Sequence, residues 1–273
     1  MRPRSIRKRF GQHFLEPAWV GKVLTTINPK PGDLFLEVGP GTGAVTIPLA
    51  HHVEALTAVE VDRDLSRALQ DRLPANVKLV VGDVLAIDLP ALLKNSYGRP
   101  CRIFGNLPYS VSSPVLFRFL AHRDLFIDAT VMLQREVANR LLARAGDSER
   151  GVLSVLVSLY AETEKLLTLP PGAFRPMPQV HSTLVRLSFG TPSVPVSDPQ
   201  LFETVVRRAF AHRRKTLENA LAGLAAEHGL AMRSLLQQVE ISPTRRPQTL
   251  ELVEWVRLAN LLSTHRQRAR LEV

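Results

Sequence analysis

The sequence has a single cysteine among its 273 residues, Cys101, and no cluster of cysteine and histidine around it that would ligate zinc. One thiol cannot form an internal disulfide, so we expect a reducing, cytoplasmic setting and no resident metal. Long apolar runs are also missing. None reaches the roughly 18 to 20 residues that cross a bilayer, and the basic start, Met1 to Phe10, has no apolar run behind it. We therefore expect neither secretion nor membrane insertion.

Acidic residues are scarce relative to basic ones, 25 against 35, and the formal net charge is +10. Such a surplus is typical of proteins that bind a polyanion, and nucleic acid is the expected partner class. The surplus is concentrated in two clusters toward opposite ends of the chain, whose candidate RNA-binding residues are Arg7, Lys8, Arg9, Arg207, Arg208, Arg213, Arg214 and Lys215. Taken alone, each cluster is also compatible with an ordinary solvated surface.

From Leu34 onward, short apolar runs alternate with amphipathic stretches, which is the pattern of a parallel sheet with helices on both faces. The predicted strands are Leu34–Val38, Ala55–Val61, Val77–Val81, Arg102–Gly105 and Ala129–Leu133, with Lys165–Leu169 and Thr183–Phe189 completing the sheet. Apolar residues recur every three to four positions in the predicted helices between them, Val45–Ala50, Asp64–Arg72, Pro114–Leu120 and Gln134–Ala143.

A change of composition marks a domain boundary near residue 190. Gly190 to Pro199 holds three prolines and two serines, which is typical of a linker. The pattern after it is wholly helical, over Leu201–Phe210, Lys215–Ala226, Met232–Gln238 and Leu250–Leu262. We predict a larger domain over residues 1–190, with a basic N-terminal arm, and a small helical RNA-docking domain over residues 200–273.

A glycine-rich turn follows the first predicted strand and opens a helix. It reads Glu37-Val38-Gly39-Pro40-Gly41-Thr42-Gly43, and glycines at such a turn let the backbone approach a ligand. Glu60 ends the second strand, where a ribose-binding acid is expected, so the two features together indicate a nucleoside cofactor. The turn also satisfies the dinucleotide fingerprint through Gly39, Gly41 and Ala44, which leaves NAD open at this point.

Two carboxylates favour S-adenosylmethionine over NAD. Glu37 precedes the first glycine by two positions, which suits a site facing the cationic end of a sulfonium amino acid rather than a pyrophosphate. Asp83 comes just past the third strand, where a carboxylate can accept hydrogen bonds from an adenine amine. The alternative for both, and for Glu60, is structural, namely capping of the helix that follows.

The tetrapeptide Asn106-Leu107-Pro108-Tyr109 follows the fourth strand, at the edge of the sheet where open α/β proteins bind ligands. An exocyclic adenine amine is a poor nucleophile, because its lone pair is delocalised into the ring. The Asn106 side-chain oxygen and the Leu107 carbonyl can accept its two N–H bonds and direct the lone pair toward the methyl group. Pro108 stiffens the turn, and Tyr109 offers a face on which the base can stack. The alternative is a plain β-turn that closes a strand.

With these residues placed, the chain resembles, nearly end to end, the KsgA family of 16S ribosomal RNA adenine N6,N6-dimethyltransferases. The matching stretches include Arg9–Leu15, Phe35–Gly43, Val59–Asp62, Gly82–Asp83, Gly105–Ser110, Gln134–Ala138, Pro170–Pro176 and Phe210–Leu217. The last stretch is the most specific to the subfamily.

The resemblance implies a Rossmann-like class I S-adenosylmethionine-dependent methyltransferase domain with a small C-terminal all-helical domain. It implies cofactor contacts at His13, Leu15, Gly39, Glu60, Asp83 and Asn106, to which the glycine turn adds Glu37, Gly41 and Gly43. Many relatives have asparagine where this chain has His13, and Gln179 and His181 stand where lysine and aspartate are common. We expect a monomer that methylates two adjacent adenines in the hairpin loop near the 3′ end of 16S RNA, within a pre-30S particle.

Three other functions remain open from the sequence. An Erm-like 23S ribosomal RNA adenine methyltransferase shares the glycine turn and the tetrapeptide, but the Phe210–Leu217 stretch argues against it. A mainly non-enzymatic assembly factor would use the fold only to bind RNA, and the intact motif Asn106–Tyr109 argues for an enzyme instead. An NAD-dependent dehydrogenase leaves that motif and the basic clusters unexplained.

Overall fold

The computed structural model describes residues 13–108, 111–192, 194–227 and 229–271. The chain divides into two compact units. One consists of the residues up to Ala138 with Glu162–Phe189, and the other of Asn139–Ala161 with Gly190–Val273. None of the described helices is long and apolar enough to cross a membrane.

The first unit contains the strands and most of the connecting helices. The strands are β1 (Phe14–Leu15), β2 (Leu34–Val38), β3 (Ala55–Glu60), β4 (Val77–Val81), β5 (Cys101–Asn106), β6 (Phe126–Gln134), β7 (Ala161–Leu169), β8 (Phe174–Arg175) and β9 (Ser182–Phe189). The helices are α1 (Pro17–Ile27), α2 (Thr46–Ala50), α3 (Arg63–Gln70), α4 (Leu89–Ser96), α5 (Ser112–Ala121) and α6 (Arg135–Leu142), the last of which crosses the division between the units.

The seven strands predicted from the sequence form one sheet, in the order β4-β3-β2-β5-β6-β9-β7. β4, β3, β2, β5 and β6 run parallel to one another, and β9 is antiparallel to β6. The strand order reverses at β2, which lies between β3 and β5. Ligands bind at such a reversal, in the crevice outside the carboxyl ends of the strands. Glu37 and Asn106 lie at these ends of β2 and β5.

Local sequence explains where the elements begin and why they are buried. All five residues of β2 are buried, as expected for a parallel strand covered on both faces. Asp62 caps the start of α3, where its carboxylate accepts from the main-chain N–H groups of Asp64 and Leu65. Asp88 caps α4 and accepts the Ala91 N–H. The core beneath the site is apolar and includes Phe35, Leu49, Leu56, Phe104 and Phe174.

Three features were not predicted from the sequence: α1, α4 and the short pair formed by β1 and β8. In this pair Phe14 lies opposite Arg175 and Leu15 opposite Phe174. The pair holds β1 against the glycine turn, where a Cβ on Gly41 would lie 2.9 Å from the Phe14 ring. A strand of two residues has no hydrophobic period, so this pairing leaves no signal in the sequence.

The second unit is helical, with α7 (Val152–Tyr160), α8 (Pro199–Ala211), α9 (Leu217–Ala226), α10 (Met232–Gln238) and α11 (Leu252–Leu271). The sequence predicted the last four. Helix α7 was missed because six of its nine residues are buried, which leaves no amphipathic period. It packs against α8 and α11, and residues 139–161 therefore belong to this unit, whereas the sequence predicts them in the larger domain. The division near residues 190–200 stays a prediction.

Candidate active site

A cavity of about 240 Å³ opens at the carboxyl edge of the sheet in the first unit. This is where the sequence predicts the cofactor and the methyl acceptor. The predicted site residues in its lining are His13, Leu15, Glu37, Gly39, Gly41, Glu60, Asp83, Asn106, Leu107 and Pro108. Gly43 is not in the lining, and Tyr109 lies outside the described residues. The structure thus brings together residues that are up to 95 positions apart in the sequence, from His13 to Pro108.

The glycine turn has the left-handed backbone that its composition predicts. Gly39, Gly41 and Gly43 have φ angles of +74°, +56° and +81°, a region that residues with a Cβ rarely adopt. The Gly39 N–H donates to the Val59 carbonyl at 2.9 Å, which ties the turn to β3. Gly43 serves packing, because a Cβ there would lie 2.4 Å from the Leu69 side chain of α3.

Glu60 ends β3 and is 3% exposed. One carboxylate oxygen accepts the Gly41 N–H at 3.0 Å, and the other accepts the Asp62 N–H at 2.9 Å. Burial raises the pKa of Glu60, and these two donors oppose the rise. Each carboxylate oxygen can accept a further hydrogen bond, so the side chain can still receive the two hydroxyls of a ribose. Glu60 therefore both supports the glycine turn and lines the cavity.

Glu37 is the next-to-last residue of β2 and is 2% exposed. Burial raises the pKa of Glu37 to about 8; the nearby Thr46 hydroxyl opposes the rise, and the charge of Glu60 adds to it. Among the described residues, Glu37 Oε2 has no hydrogen-bond partner. A buried carboxyl oxygen without a partner costs free energy unless a donor or a cation approaches it. This orphaned oxygen fits the ammonium group of the predicted cofactor.

Asp83 lines the other side of the cofactor end and is exposed. Its Oδ1 accepts the Leu85 N–H at 2.9 Å, so one oxygen shapes the turn after β4, whereas the helix that follows is capped by Asp88 and not by Asp83. Val61 and Val84 also line this end, and Val61 is 45% exposed. An apolar surface beside a carboxylate suits an adenine ring that carries an amine. Val61 was not predicted as a site residue, although its position directly after Glu60 at a strand end was a usable signal.

Asn106 occupies the other end of the cavity, at the end of β5. Its Nδ2 donates to the His13 carbonyl at 2.8 Å. Because a carbonyl oxygen only accepts, the amide is oriented with its nitrogen toward residue 13 and its Oδ1 as the remaining acceptor. The His13 ring is engaged as well, with Nδ1 at 2.6 Å from the Pro176 carbonyl oxygen.

The turn after Asn106 is held on two sides. The Leu107 N–H donates to the Met132 carbonyl of β6 at 3.3 Å, and the Leu107 side chain is buried. The Pro108 carbonyl accepts the Ser112 hydroxyl at 3.0 Å, which ties the turn to the start of α5. The turn is therefore anchored to a central strand and to a helix.

The candidate RNA-binding residues of the second unit differ in their partners. Three contact other groups of the protein: Arg207 pairs with Glu203, Arg208 pairs with Glu227, and Arg213 donates to the Ser148 carbonyl. Exposed ion pairs of this kind contribute little free energy, so the arginines can exchange their glutamate partners for other anions. Arg214 and Lys215 are exposed. Arg7, Lys8 and Arg9 lie outside the described residues.

These features define the class of protein. The reversal of strand order at the glycine turn and the buried acid ending β3 are those of a Rossmann-like domain that binds a nucleoside cofactor. A solved dimethyladenosine transferase from Plasmodium falciparum has the same fold, with a TM-score of 0.79 and 22% identity over 93% of this chain and 98% of that chain. The predicted fold class is confirmed. In the described part of the chain, no group of three or more His, Cys, Asp or Glu side chains is placed to hold a metal ion.

The model of the ribosomal RNA adenine dimethylase family matches residues 4–258, so the chain belongs to this family. The chain is 41% identical to ribosomal RNA small subunit methyltransferase A of Pseudomonas aeruginosa, with 94% of each protein covered. It is 37% identical to the protein of that name from Proteus mirabilis, with 96% of each covered. The resemblance seen in the sequence is confirmed, as are the enzyme class and S-adenosylmethionine as cofactor. The roles of single residues stay predictions.

Proposed function

We propose that this chain transfers methyl groups from S-adenosylmethionine to the N6 amines of two adjacent adenines in the 3′-terminal hairpin loop of 16S ribosomal RNA, giving N6,N6-dimethyladenine. Family membership and the names of the relatives support a small-subunit RNA substrate. The observation that carries the proposal is the Asn106 amide. Its nitrogen is bound to the His13 carbonyl, which leaves its oxygen as an acceptor in the cavity that Glu37 and Glu60 also line.

The glycine-turn end of the cavity fits S-adenosylmethionine. When bound, this cofactor supplies an electrophilic methyl group on a sulfonium sulfur. Glu37 would receive the ammonium group, because its buried and unpartnered oxygen requires a cation or a donor. Glu60 would accept the ribose hydroxyls, and Asp83 would accept the adenine amine. The left-handed backbone at Gly39 and Gly41 allows the main chain to approach the ligand closely.

Three further residues complete this end of the cavity. His13, directly before β1, and Leu15 in β1 lie in the cavity lining, so they would contact the bound cofactor. Gly43 acts indirectly, since its missing side chain allows α3 to pack under the glycine turn. We therefore retain His13 and Leu15 as proposed cofactor contacts, and assign Gly43 to the shape of the turn.

The acceptor end holds the target amine by geometry. The Asn106 Oδ1 and the Leu107 carbonyl accept hydrogen bonds from the two N–H groups of the adenine amine. The amine nitrogen therefore becomes pyramidal, with its lone pair toward the cofactor end. Holding the reacting atoms in line lowers the barrier by up to roughly 7 to 11 kcal/mol. After transfer the nitrogen is positively charged and loses its proton to water, so the residues present need not supply a strong base. Pro108 keeps the turn rigid, and Tyr109 would stack on the base.

The proposed substrate is a hairpin loop within a pre-30S particle, bound by a monomer in the cytoplasm. A loop adenine suits the site, because an unpaired base swings into a pocket at lower cost than a paired one. Arg214 and Lys215 are exposed and would contact phosphates of the RNA. The basic residues Arg7, Lys8 and Arg9 would do the same from the N-terminal arm.

Incubation of under-methylated 30S particles with the protein and S-adenosylmethionine, followed by mass spectrometry of the digested RNA, tests the proposal. We expect two N6,N6-dimethyladenosines per particle, both within one fragment from the 3′ end of 16S RNA. Protein-free 23S RNA serves as the control substrate and should stay unmodified.

Two results would overturn the proposal in different ways. Methylation of 23S RNA with none in the 30S particles would indicate the Erm-like activity. Binding to 30S particles without any transfer would indicate an assembly factor that uses the fold only to dock on RNA.

A further inference from the structure

We propose that His13 is a positioning residue for methyl transfer. Its main-chain carbonyl orients the Asn106 amide, and its imidazole ring holds that carbonyl in place. The inference rests on the proposed role of Asn106 as an acceptor for the target amine. It goes beyond the cofactor contact that the sequence assigns to this position.

The first link is the hydrogen bond from Asn106 Nδ2 to the His13 carbonyl, at 2.8 Å. The last torsion of an asparagine side chain is broad and nearly two-fold, so shape alone does not decide which end of the amide faces the substrate. The His13 carbonyl decides it, because it accepts from the nitrogen and repels the oxygen. The main-chain carbonyl of His13 therefore determines that Asn106 presents its Oδ1, the acceptor, to the target amine.

The second link is the contact of 2.6 Å between His13 Nδ1 and the Pro176 carbonyl oxygen. The oxygen can only accept, so Nδ1 carries a hydrogen and donates. Residue 13 immediately precedes β1, and Pro176 immediately follows β8. Proline has no main-chain N–H, so no donor from Pro176 can extend the ladder between these strands. The ring bond ties residue 13 to the end of β8 instead.

The two links form a relay from Pro176 through His13 to Asn106. The main-chain pairing beside it is short, with Phe14 opposite Arg175 and Leu15 opposite Phe174. Without the ring bond, residue 13 lies beyond the last pair of a two-residue strand. Loss of this bond removes one restraint on the His13 carbonyl, and any shift of the carbonyl moves Asn106 Oδ1 with it. A displacement of about 1 Å in a positioning group can cost on the order of 100-fold in rate.

The relay predicts which substitutions are tolerated at residue 13. An asparagine side chain carries its Nδ2 donor close to where the histidine carries Nδ1, so His13→Asn keeps the bond to Pro176. Asparagine is also the residue that many members of the resembled family have at this position. Alanine removes the donor, and aspartate places a charged acceptor against the Pro176 carbonyl.

A double-mutant cycle tests the relay. Transfer of radiolabelled methyl groups to under-methylated 30S particles is measured at saturating cofactor and RNA for the wild-type protein, His13→Ala, Asn106→Ala and the double variant. We expect His13→Ala to lower kcat about tenfold, the effect of one positioning hydrogen bond, and His13→Asn to restore most of it. In the Asn106→Ala background, His13→Ala should cause no further loss, because both residues act through one amide.

Two outcomes would overturn the inference. One is an equal loss from His13→Ala in both backgrounds, which would mean that His13 acts independently of Asn106. The other is a change in cofactor affinity with kcat at saturation unchanged, which would make His13 only a cofactor contact. Thermal melting checks that each variant folds, and His13→Asp replaces His13→Ala in the cycle if the latter does not. Near wild-type rates for Asn106→Ala would refute the proposed function itself, so the two failures are distinguishable.

Discussion

The two ends of the cavity in the first unit are built from different groups. The cofactor end has two buried carboxyl groups, Glu37 and Glu60, which are 2% and 3% exposed. The acceptor end has neutral groups, the Asn106 amide and the Leu107-Pro108 turn. They are fixed by hydrogen bonds to the main chain of His13 and Met132 and to the Ser112 hydroxyl. Buried charge is costly, and it is placed only where the proposed ligand carries a cation or several hydroxyls.

This difference separates binding from rate. A charged or doubly hydrogen-bonded contact made in both the ground state and the transition state contributes to affinity, whereas a contact that tightens as the amine becomes pyramidal contributes to kcat. Substitutions at the cofactor end should therefore change mainly the dissociation constant of the cofactor. Substitutions at the acceptor end should change mainly kcat.

The largest expected effect is at the acceptor end. Asn106→Ala removes an acceptor for the target amine, so kcat should fall by about 10² to 10³, as for the loss of one transition-state hydrogen bond. Affinity for 30S particles should stay the same, and cofactor affinity should fall by no more than about tenfold, the worth of one hydrogen bond. Single-turnover methyl transfer and titration calorimetry measure these quantities. If Asn106→Ala loses cofactor affinity but retains kcat, the acceptor end contributes to binding and not to rate, contrary to the proposal.

Glu60→Ala should give the next largest effect, this time on affinity. The variant loses the acceptor proposed for the ribose hydroxyls and also the acceptor of the Gly41 N–H, so the cofactor should bind more weakly by roughly 1.5 to 3 kcal/mol. Calorimetry with S-adenosylmethionine or its demethylated product checks this. Glu60→Gln is the matched control, because it keeps an oxygen for the Gly41 N–H and should lose less. Unchanged affinity in a folded Glu60→Ala protein would contradict the placement of the ribose.

The sequence predicted the central sheet well because its strands are buried on both faces, as the fully buried β2 shows. It also predicted Glu37, Glu60 and Asn106 as site residues, since polar residues that end such runs must lie at one edge of the sheet. Helix α7 was not predictable, because it is apolar on all sides and has no period.

Other parts of the site depend on contacts that leave no local signal. His13 and Pro176 are 163 positions apart, and nothing near either residue indicates their hydrogen bond. Gly43 belongs to the same glycine pattern as Gly39 and Gly41, yet it faces Leu69 rather than the cavity. The packing of α3 decides which glycine of the turn faces the ligand, and the local sequence does not encode this tertiary contact.

The smallest expected effect concerns the pH dependence of the cofactor end. Burial raises the pKa of Glu37 from 4.5 to about 8 in the folded protein. Between these values the folded state binds a proton that the unfolded state does not. The stability that this proton contributes is therefore complete below about pH 4.5 and is lost as the pH rises through about 8. The Tm of the ligand-free protein should fall over this range, and less so in Glu37→Gln, whose side chain does not titrate.

Binding of the cofactor should reverse the protonation of the same group. The proposed contact with an ammonium group favours the carboxylate, so at pH 7 Glu37 should release most of one proton when S-adenosylmethionine binds, because its pKa is about 8 beforehand. Calorimetry in buffers of different ionisation enthalpy measures this release as a buffer-dependent heat. Glu37→Gln should bind more weakly and release correspondingly less. If the wild-type protein and Glu37→Gln release the same number of protons, the ammonium group does not contact Glu37. Of the two buried carboxyl groups, only Glu60 would then bind the cofactor.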